Sequence, residues 1–233
     1  MIEVDVGRNI RNELRKLLKT YRPSQLDEQL TTACPFYEPE NRELTSAYRL
    51  IHDMAKSKIL VKLQMKLDEI SVVSELPLEF GRVDGAAGNE IVLTSKDSDI
   101  FLFIEIKTGN VKLVQPAIYT ILRGTKTLVA ELRTGDILTI NVSLAEKIVE
   151  ELLEHMKAQE ILRESGKKIP GSECRYCGAD CEFRESVKWK WSVDPLKSLP
   201  DILGNVDTVV DKIAAEISRE IQNRSKRVCE AEA

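Results

Sequence analysis

Apolar positions recur first at helical spacing. Ile10, Leu14, Leu17 and Leu18 share one face over residues 8–20, which predicts an amphipathic helix. Pro23 closes it, "YRPSQLDEQL" starts a further helix, and Cys34-Pro35 marks its exit. A longer helical stretch covers about 43–67. The period then shortens. Residues 70–80 read as a strand ending in "ELPLEF", and Pro77 suits an irregularity or an edge position. "GRVDG" (81–85) reads as a short strand, "GAAGNE" (85–90) as a turn leading to "IVLT", and "SKDSD" (95–99) as a hairpin-like turn. "IFLFIEIK" is too apolar for an edge and predicts the central strand. Residues 112–123 form a helix that accepts Pro116 only in its first turn. "TLVAELRTGDILTINV" (127–142) reads as a hairpin turning at Gly135-Asp136. Ser143 and Glu146 form a capping box for a helix over 144–164. "SVDPLKSLPD" (192–201) reads as a linker. The last helix, about 205–224, carries Val206, Val209, Val210, Ile213, Ile217 and Ile221 as an apolar stripe. That stripe docks on the parent domain or meets a second copy of the chain. The class is α/β, with a mixed central sheet flanked by helices.

Composition adjusts this picture in a few places. A chain of 233 residues supports one sizeable core. No apolar run approaches the roughly 18 residues of a membrane span, and the charged start "MIEVDVGRNIRNELRK" lacks a signal-like core. The expected location is cytoplasmic, with no membrane partner. A formal net charge of −4 argues against nonspecific wrapping of DNA. Basic residues are nonetheless locally dense. One group is Lys56, Lys58, Lys62 and Lys66; the other is Arg163, Lys167, Lys168, Arg175, Arg184, Lys188 and Lys190, interleaved with Tyr176, Trp189 and Trp191. Solvated helix and loop faces look like this too, but the second group also suits a single strand whose bases stack and phosphates pair.

Three residues carry the chemistry: Asp84 in "GRVDG", and Glu105 and Lys107 in "FIEIKTG". Two carboxylates at neighbouring strand ends hold a hard divalent cation through oxygen. Such an ion polarises a phosphate and acidifies water, and an ammonium beside it offsets developing charge. Glu105 and Lys107 lie two apart and share a strand face, whereas Ile106 points the other way, into a core. Charged groups inside so apolar a run need a partner.

These segments, followed by Gln115-x-x-x-Tyr119, resemble the RecB-like branch of the PD-(D/E)xK nucleases. The resemblance implies catalytic Asp84, Glu105 and Lys107. It also implies a Mg2+ or Mn2+ site at His52, Asp84, Glu105 and Ile106, and a helix presenting Gln115 and Tyr119 to DNA. Five cysteines add a second feature. Cys174, Cys177 and Cys181 are tightly clustered, Cys34 lies far upstream, and Cys229 near the tail reads as a free thiol. A Cys-x-x-Cys pair with further thiolates suits an iron–sulfur cluster or zinc; disulfides and unliganded thiols are the remaining readings. One cysteine before the nuclease segments and three after them is similar to the CRISPR-associated exonucleases of the fourth Cas family.

That resemblance covers roughly residues 30–185. It implies a metal-dependent exonuclease on single-stranded DNA ends, working in CRISPR spacer acquisition beside the spacer integrase complex. It further implies an iron–sulfur subdomain, held by Cys34, Cys174, Cys177 and Cys181, that joins the N- and C-terminal regions. Three residues separate the last two cysteines, where the family usually has five; this departure leaves the cluster type open, with 4Fe–4S ranked ahead of 2Fe–2S. The expected organisation is a nuclease domain over 1–191, then a linker and C-terminal helix over 192–233 through which a homo-oligomer could form. The alternatives are a repair or replication nuclease outside CRISPR, a nuclease-dead iron–sulfur DNA-binding scaffold, and a zinc-bound interaction module.

Overall fold

The unbroken apolar run of "IFLFIEIK" becomes the middle strand of a five-stranded mixed sheet. The computed structural model describes residues 3–30, 32–38, 46–89, 99–171, 173–174, 177–185 and 199–231. Its elements in chain order are α1 (Glu3–Leu17), α2 (Pro23–Leu30), α3 (Ser46–Lys66), β1 (Ser71–Leu78), β2 (Gly81–Gly88), β3 (Ile100–Lys107), α4 (Val114–Arg123), β4 (Thr127–Glu131), β5 (Asp136–Ile140), α5 (Val142–Glu164), α6 (Glu182–Glu185), α7 (Leu199–Gly204) and α8 (Val206–Ala231).

The strands lie in sequence order, β1 to β5. Antiparallel pairs join β1 to β2, β2 to β3 and β4 to β5. Strands β3 and β4 are parallel, with α4 as the crossover; a parallel pair needs such a long connection. Each face of the sheet carries a core. Leu102, Ile104 and Ile106 of β3 pack with Ile59 and Leu63 of α3 and with Val209 and Ile213 of α8. Phe103 packs on the opposite side with Leu14, Leu26, Ile118, Val149 and Leu152 from α1, α2, α4 and α5. Covered on both faces, the middle strand has to be apolar almost throughout.

Several local readings are corrected by tertiary context. Residues 85–88 are not a turn: they continue β2 and pair with β1 on one side and β3 on the other. The small residues serve close packing, since a Cβ on Gly85 would stand 2.6 Å from Leu60 Cδ2. Residues 91–94 and 95–98, read as strand and turn, lie outside the described residues. Pro23 does not close α1, which ends at Leu17; it begins α2, where its missing N–H matters little. The cap of α5 is Asn141 rather than Ser143: Asn141 is extended and its side chain accepts from Leu144 N at 2.8 Å. Part of the expected linker, from Leu199 onward, is helix α7, and residues 192–198 lie outside the described set.

The stripe of α8 docks on the parent domain. Val206, Val209, Val210, Ile213 and Ile217 are buried in the core formed with α3 and β3, so the surface by which this helix would meet a second copy is used within the chain. Two of the basic residues on α3 serve the same contact: Lys62 pairs with Asp207, and Lys66 with Asp211 at 2.6 Å. Among the described residues, no helix is long and apolar enough to cross a membrane.

Ile213 is fully buried at this helix–sheet contact. Ile213→Ala should lower stability by about 2–5 kcal/mol through lost burial and the cavity left behind. Urea unfolding should show a lower midpoint at unchanged slope.

Candidate active site

Strands β2 and β3 part company at one end, and the site lies in that fork. Their pairing starts at Gly85 opposite Ile104. Beyond it no strand carbonyl faces the N–H of Ile106, and Asp84 Oδ2 accepts that bond at 2.9 Å. The Ile106 carbonyl, on the same strand edge, is met by His52 Nε2 of α3 at 3.1 Å. The same His52 nitrogen stands 3.8 Å from Asp84 Oδ2. Pleating then sends Glu105 and Lys107 to the opposite face from Ile106. There Lys107 Nζ donates to Glu105 Oε2 at 3.0 Å and reaches Gln115 Oε1 of α4 at 3.5 Å. Gln115 Nε2 in turn donates to the Tyr119 hydroxyl at 3.0 Å.

Glu105 is only 3% exposed, and its Oε1 is buried with no hydrogen-bond partner among the described residues. Burial pushes its carboxyl up to about 7; Lys107 counteracts the shift, and the neighbouring Asp84 charge adds to it. Burial works against the charge on Lys107 as well, but the adjacent Glu105 carboxylate outweighs it and the pKa is raised. An orphaned carboxylate oxygen near a second carboxylate, with an imidazole and the Ile106 carbonyl in the same fork, is a donor set suited to a divalent cation. Among the described residues, no group of three or more His, Cys, Asp or Glu residues is already arranged to hold a metal ion.

His52, Asp84, Glu105, Ile106, Lys107 and Gln115 are therefore connected around one fork. Tyr119 differs from expectation. Its ring is 1% exposed and offers no face on which a DNA base could stack. Burial raises its hydroxyl to about 12, and its contact with the site runs through Gln115. The ring also accounts for Gly81, where a Cβ would stand 2.6 Å from the Tyr119 oxygen.

Two residues join the site that the sequence reading left out. Lys56, one turn beyond His52 on α3, pairs with Glu75 and stands 3.9 Å from Asp84 Oδ1. Its i,i+4 relation to His52 was a usable signal. Asp27 of α2 is buried and accepts from Val114 N at 2.8 Å and Gln115 N at 3.2 Å. The only sign of it in the sequence is a missing one: "KLVQP" has no capping residue ahead of α4.

The four cysteines predicted to act together line one cavity of about 230 Å³, with Phe36, Ile169 and Phe183 among its other walls. None is in a disulfide. Gly171 N donates to Cys174 Sγ at 3.3 Å and Glu38 N to Cys177 Sγ at 3.4 Å. Gly178 N donates to Glu38 O at 2.7 Å, so the loop around Cys34 is stitched to the distant cysteine loop. Arg163, from the second basic group, donates twice to Pro35 O and braces the Cys34 loop, while Lys168 pairs with Glu182. Arg175, Tyr176, Lys188, Trp189, Lys190 and Trp191 lie outside the described residues, as do the side chains of Arg184 and Cys229.

The raised Glu105 carboxyl has a consequence for metal-free protein. Its pKa in the folded state exceeds the ordinary 4.5, so the fold binds this proton more tightly than the unfolded chain does. That contribution is complete below 4.5 and is lost as pH rises through about 7. Thermal unfolding in EDTA should show stability declining across that window, and Glu105→Gln should flatten the decline.

Compared with known proteins, the chain matches no protein-family profile, no curated protein and no solved structure.

Proposed function

We propose that this chain is a divalent-metal-dependent deoxyribonuclease with its active site in the fork between β2 and β3. The observation that carries this reading is the unpartnered, buried Oε1 of Glu105, set in a fork with Asp84 and Lys107. A stability-driven sheet has no use for a carboxylate oxygen without a partner. Magnesium or manganese would be held by His52, Asp84, Glu105 and the carbonyl of Ile106. When bound, such an ion supplies charge neutralisation at the scissile phosphate and an acidified water.

The protein's own groups do the rest. Asp84 is oriented by Ile106 N, so its carboxylate does not need to be ordered when substrate arrives. Lys107 is kept charged by Glu105 and can orient the attacking water and offset charge growing on the phosphate. Gln115 limits where the Lys107 ammonium can go, and the Tyr119 hydroxyl fixes Gln115. The preference for single-stranded DNA ends, the work in CRISPR spacer acquisition and the link to the integrase complex rest on the resemblance alone.

The same reading includes an iron–sulfur cluster, 4Fe–4S ahead of 2Fe–2S, bound by Cys34, Cys174, Cys177 and Cys181. Four soft sulfur donors around one cavity, two of them accepting amide N–H bonds, support it. Its role would be structural, joining the loop after α2 to the loop after α5.

Asp84→Ala, Glu105→Ala and Lys107→Ala should each lower cleavage of end-labelled single-stranded DNA by at least about a hundredfold, with Mg2+ or Mn2+ required and EDTA abolishing activity. Mn2+ should also raise the melting temperature of the wild-type chain but not that of Glu105→Ala. Wild-type rates in Glu105→Ala, with contaminating nuclease excluded, would overturn the assignment.

Anaerobically purified protein should be brown and contain iron and inorganic sulfide. Serine at any one of Cys34, Cys174, Cys177 or Cys181 should release them, and Cys229→Ser should not. Stoichiometric zinc in a colourless preparation would refute the cluster and leave the nuclease reading intact.

A further inference from the structure

The structure assigns Asp27 to this site as a positioning residue: its carboxylate clamps the first turn of α4 and so holds Gln115 in reach of Lys107. The inference rests on the nuclease reading and extends it to a residue on a separate helix.

Helix α4 begins without a cap of its own. Leu113 occupies the cap position in a helical conformation and makes no side-chain bond to the first turn. The opening N–H groups of a helix have no intrahelical partners. Here two of them are satisfied from outside: Asp27 Oδ1 accepts from Val114 N and Oδ2 from Gln115 N. A negative charge at this end is also favoured by the helix dipole.

A serine or asparagine at position 113 would cap the turn locally. Asp27 instead is a carboxylate only 6% exposed. Burial raises its pKa; the two amides, with Lys107 and Lys112, pull it back. A local cap ends a helix but leaves its axial position free, whereas a cap from α2 fixes α4 against α2. The residue whose N–H is gripped is Gln115 itself. Its side chain reaches Lys107 at 3.5 Å, the outer limit of a hydrogen bond, so a small shift of the turn would break the contact.

Helix α2 is itself anchored. The residues after it are held by α5, with Gln159 donating to Thr32 O at 2.7 Å and Arg163 to Pro35 O. This is also the stretch that carries Cys34 into the cysteine-lined cavity. Asp27, with the neighbouring Glu28–Lys112 ion pair, is therefore one point at which the cysteine side of the molecule grips the catalytic side.

Asp27→Ala, Asp27→Asn and Leu26→Ala in the full chain separate positioning from plain stability. Leu26 is fully buried on the same helix and makes none of these polar bonds. Asp27→Ala should lower kcat on single-stranded DNA about ten- to a hundredfold, with KM and the Mn2+ half-saturation within about twofold of wild type. Asp27→Asn keeps one acceptor and should recover part of the rate. Leu26→Ala should lower the unfolding midpoint and keep kcat. Amide exchange in metal-free protein should show lost protection at Val114 and Gln115 in Asp27→Ala, with the later turns of α4 unchanged. Wild-type kcat in Asp27→Ala would overturn the inference, and so would a loss matched by Leu26→Ala at equal stability. A wild-type chain that cleaves nothing would remove the nuclease reading and the positioning role with it. Unchanged exchange at the two amides would instead refute the clamp alone.

Discussion

A carboxylate in the middle strand of a doubly covered sheet is the constraint around which this molecule is arranged. Leaving an ionised group there without compensation would cost several kcal/mol. The surroundings compensate only in part: Lys107 satisfies one oxygen of Glu105 and the other is left without a partner. Lys107 is in turn held charged by that carboxylate and touches Gln115. Each buried polar group therefore requires the next, and the series runs from β3 through α4 to Asp27 on α2.

The fork between β2 and β3 makes this arrangement accessible. A continuous ladder would have consumed the N–H of Ile106 and shut the strands together. Asp84 replaces the missing carbonyl, which keeps the ladder end satisfied while leaving its carboxylate at the opening. His52 and Lys56 approach from α3, Gln115 from α4. Helices on both faces thus contribute to one opening, as expected where a sheet's strands diverge at their ends.

The cysteine-lined cavity stands at the other end of a mechanical connection. The loop carrying Cys34 hydrogen-bonds the loop carrying Cys177, and α5 braces it through Gln159 and Arg163. Segments separated by some 140 residues are brought together there, as the Glu38–Cys177 bond shows. Contacts of that sequence separation carry a loop-closure cost, which a bound cluster would offset. Helix α8 plays the matching role on the opposite face, covering β3 with its stripe and binding α3 through two ion pairs.

Much of this was legible in the chain. The apolar run of β3, the hairpin of β4 and β5, the amphipathic α1 and α8, and the shared strand face of Glu105 and Lys107 follow from periodicity. Local pattern decides these because a side chain's face is fixed by its spacing along its own element. What depended on partners from elsewhere was not legible. Residues 85–88 look like a turn until Leu60 and two neighbouring strands are supplied. Ser143 looks like a cap until the chain is seen to enter the helix at Asn141. Tyr119 looks like a residue presented to DNA until the core closes over it. Asp27 carries no local signature, because the amides it binds lie 87 and 88 residues away. Sequence spacing reports faces; only tertiary packing decides which distant groups those faces meet.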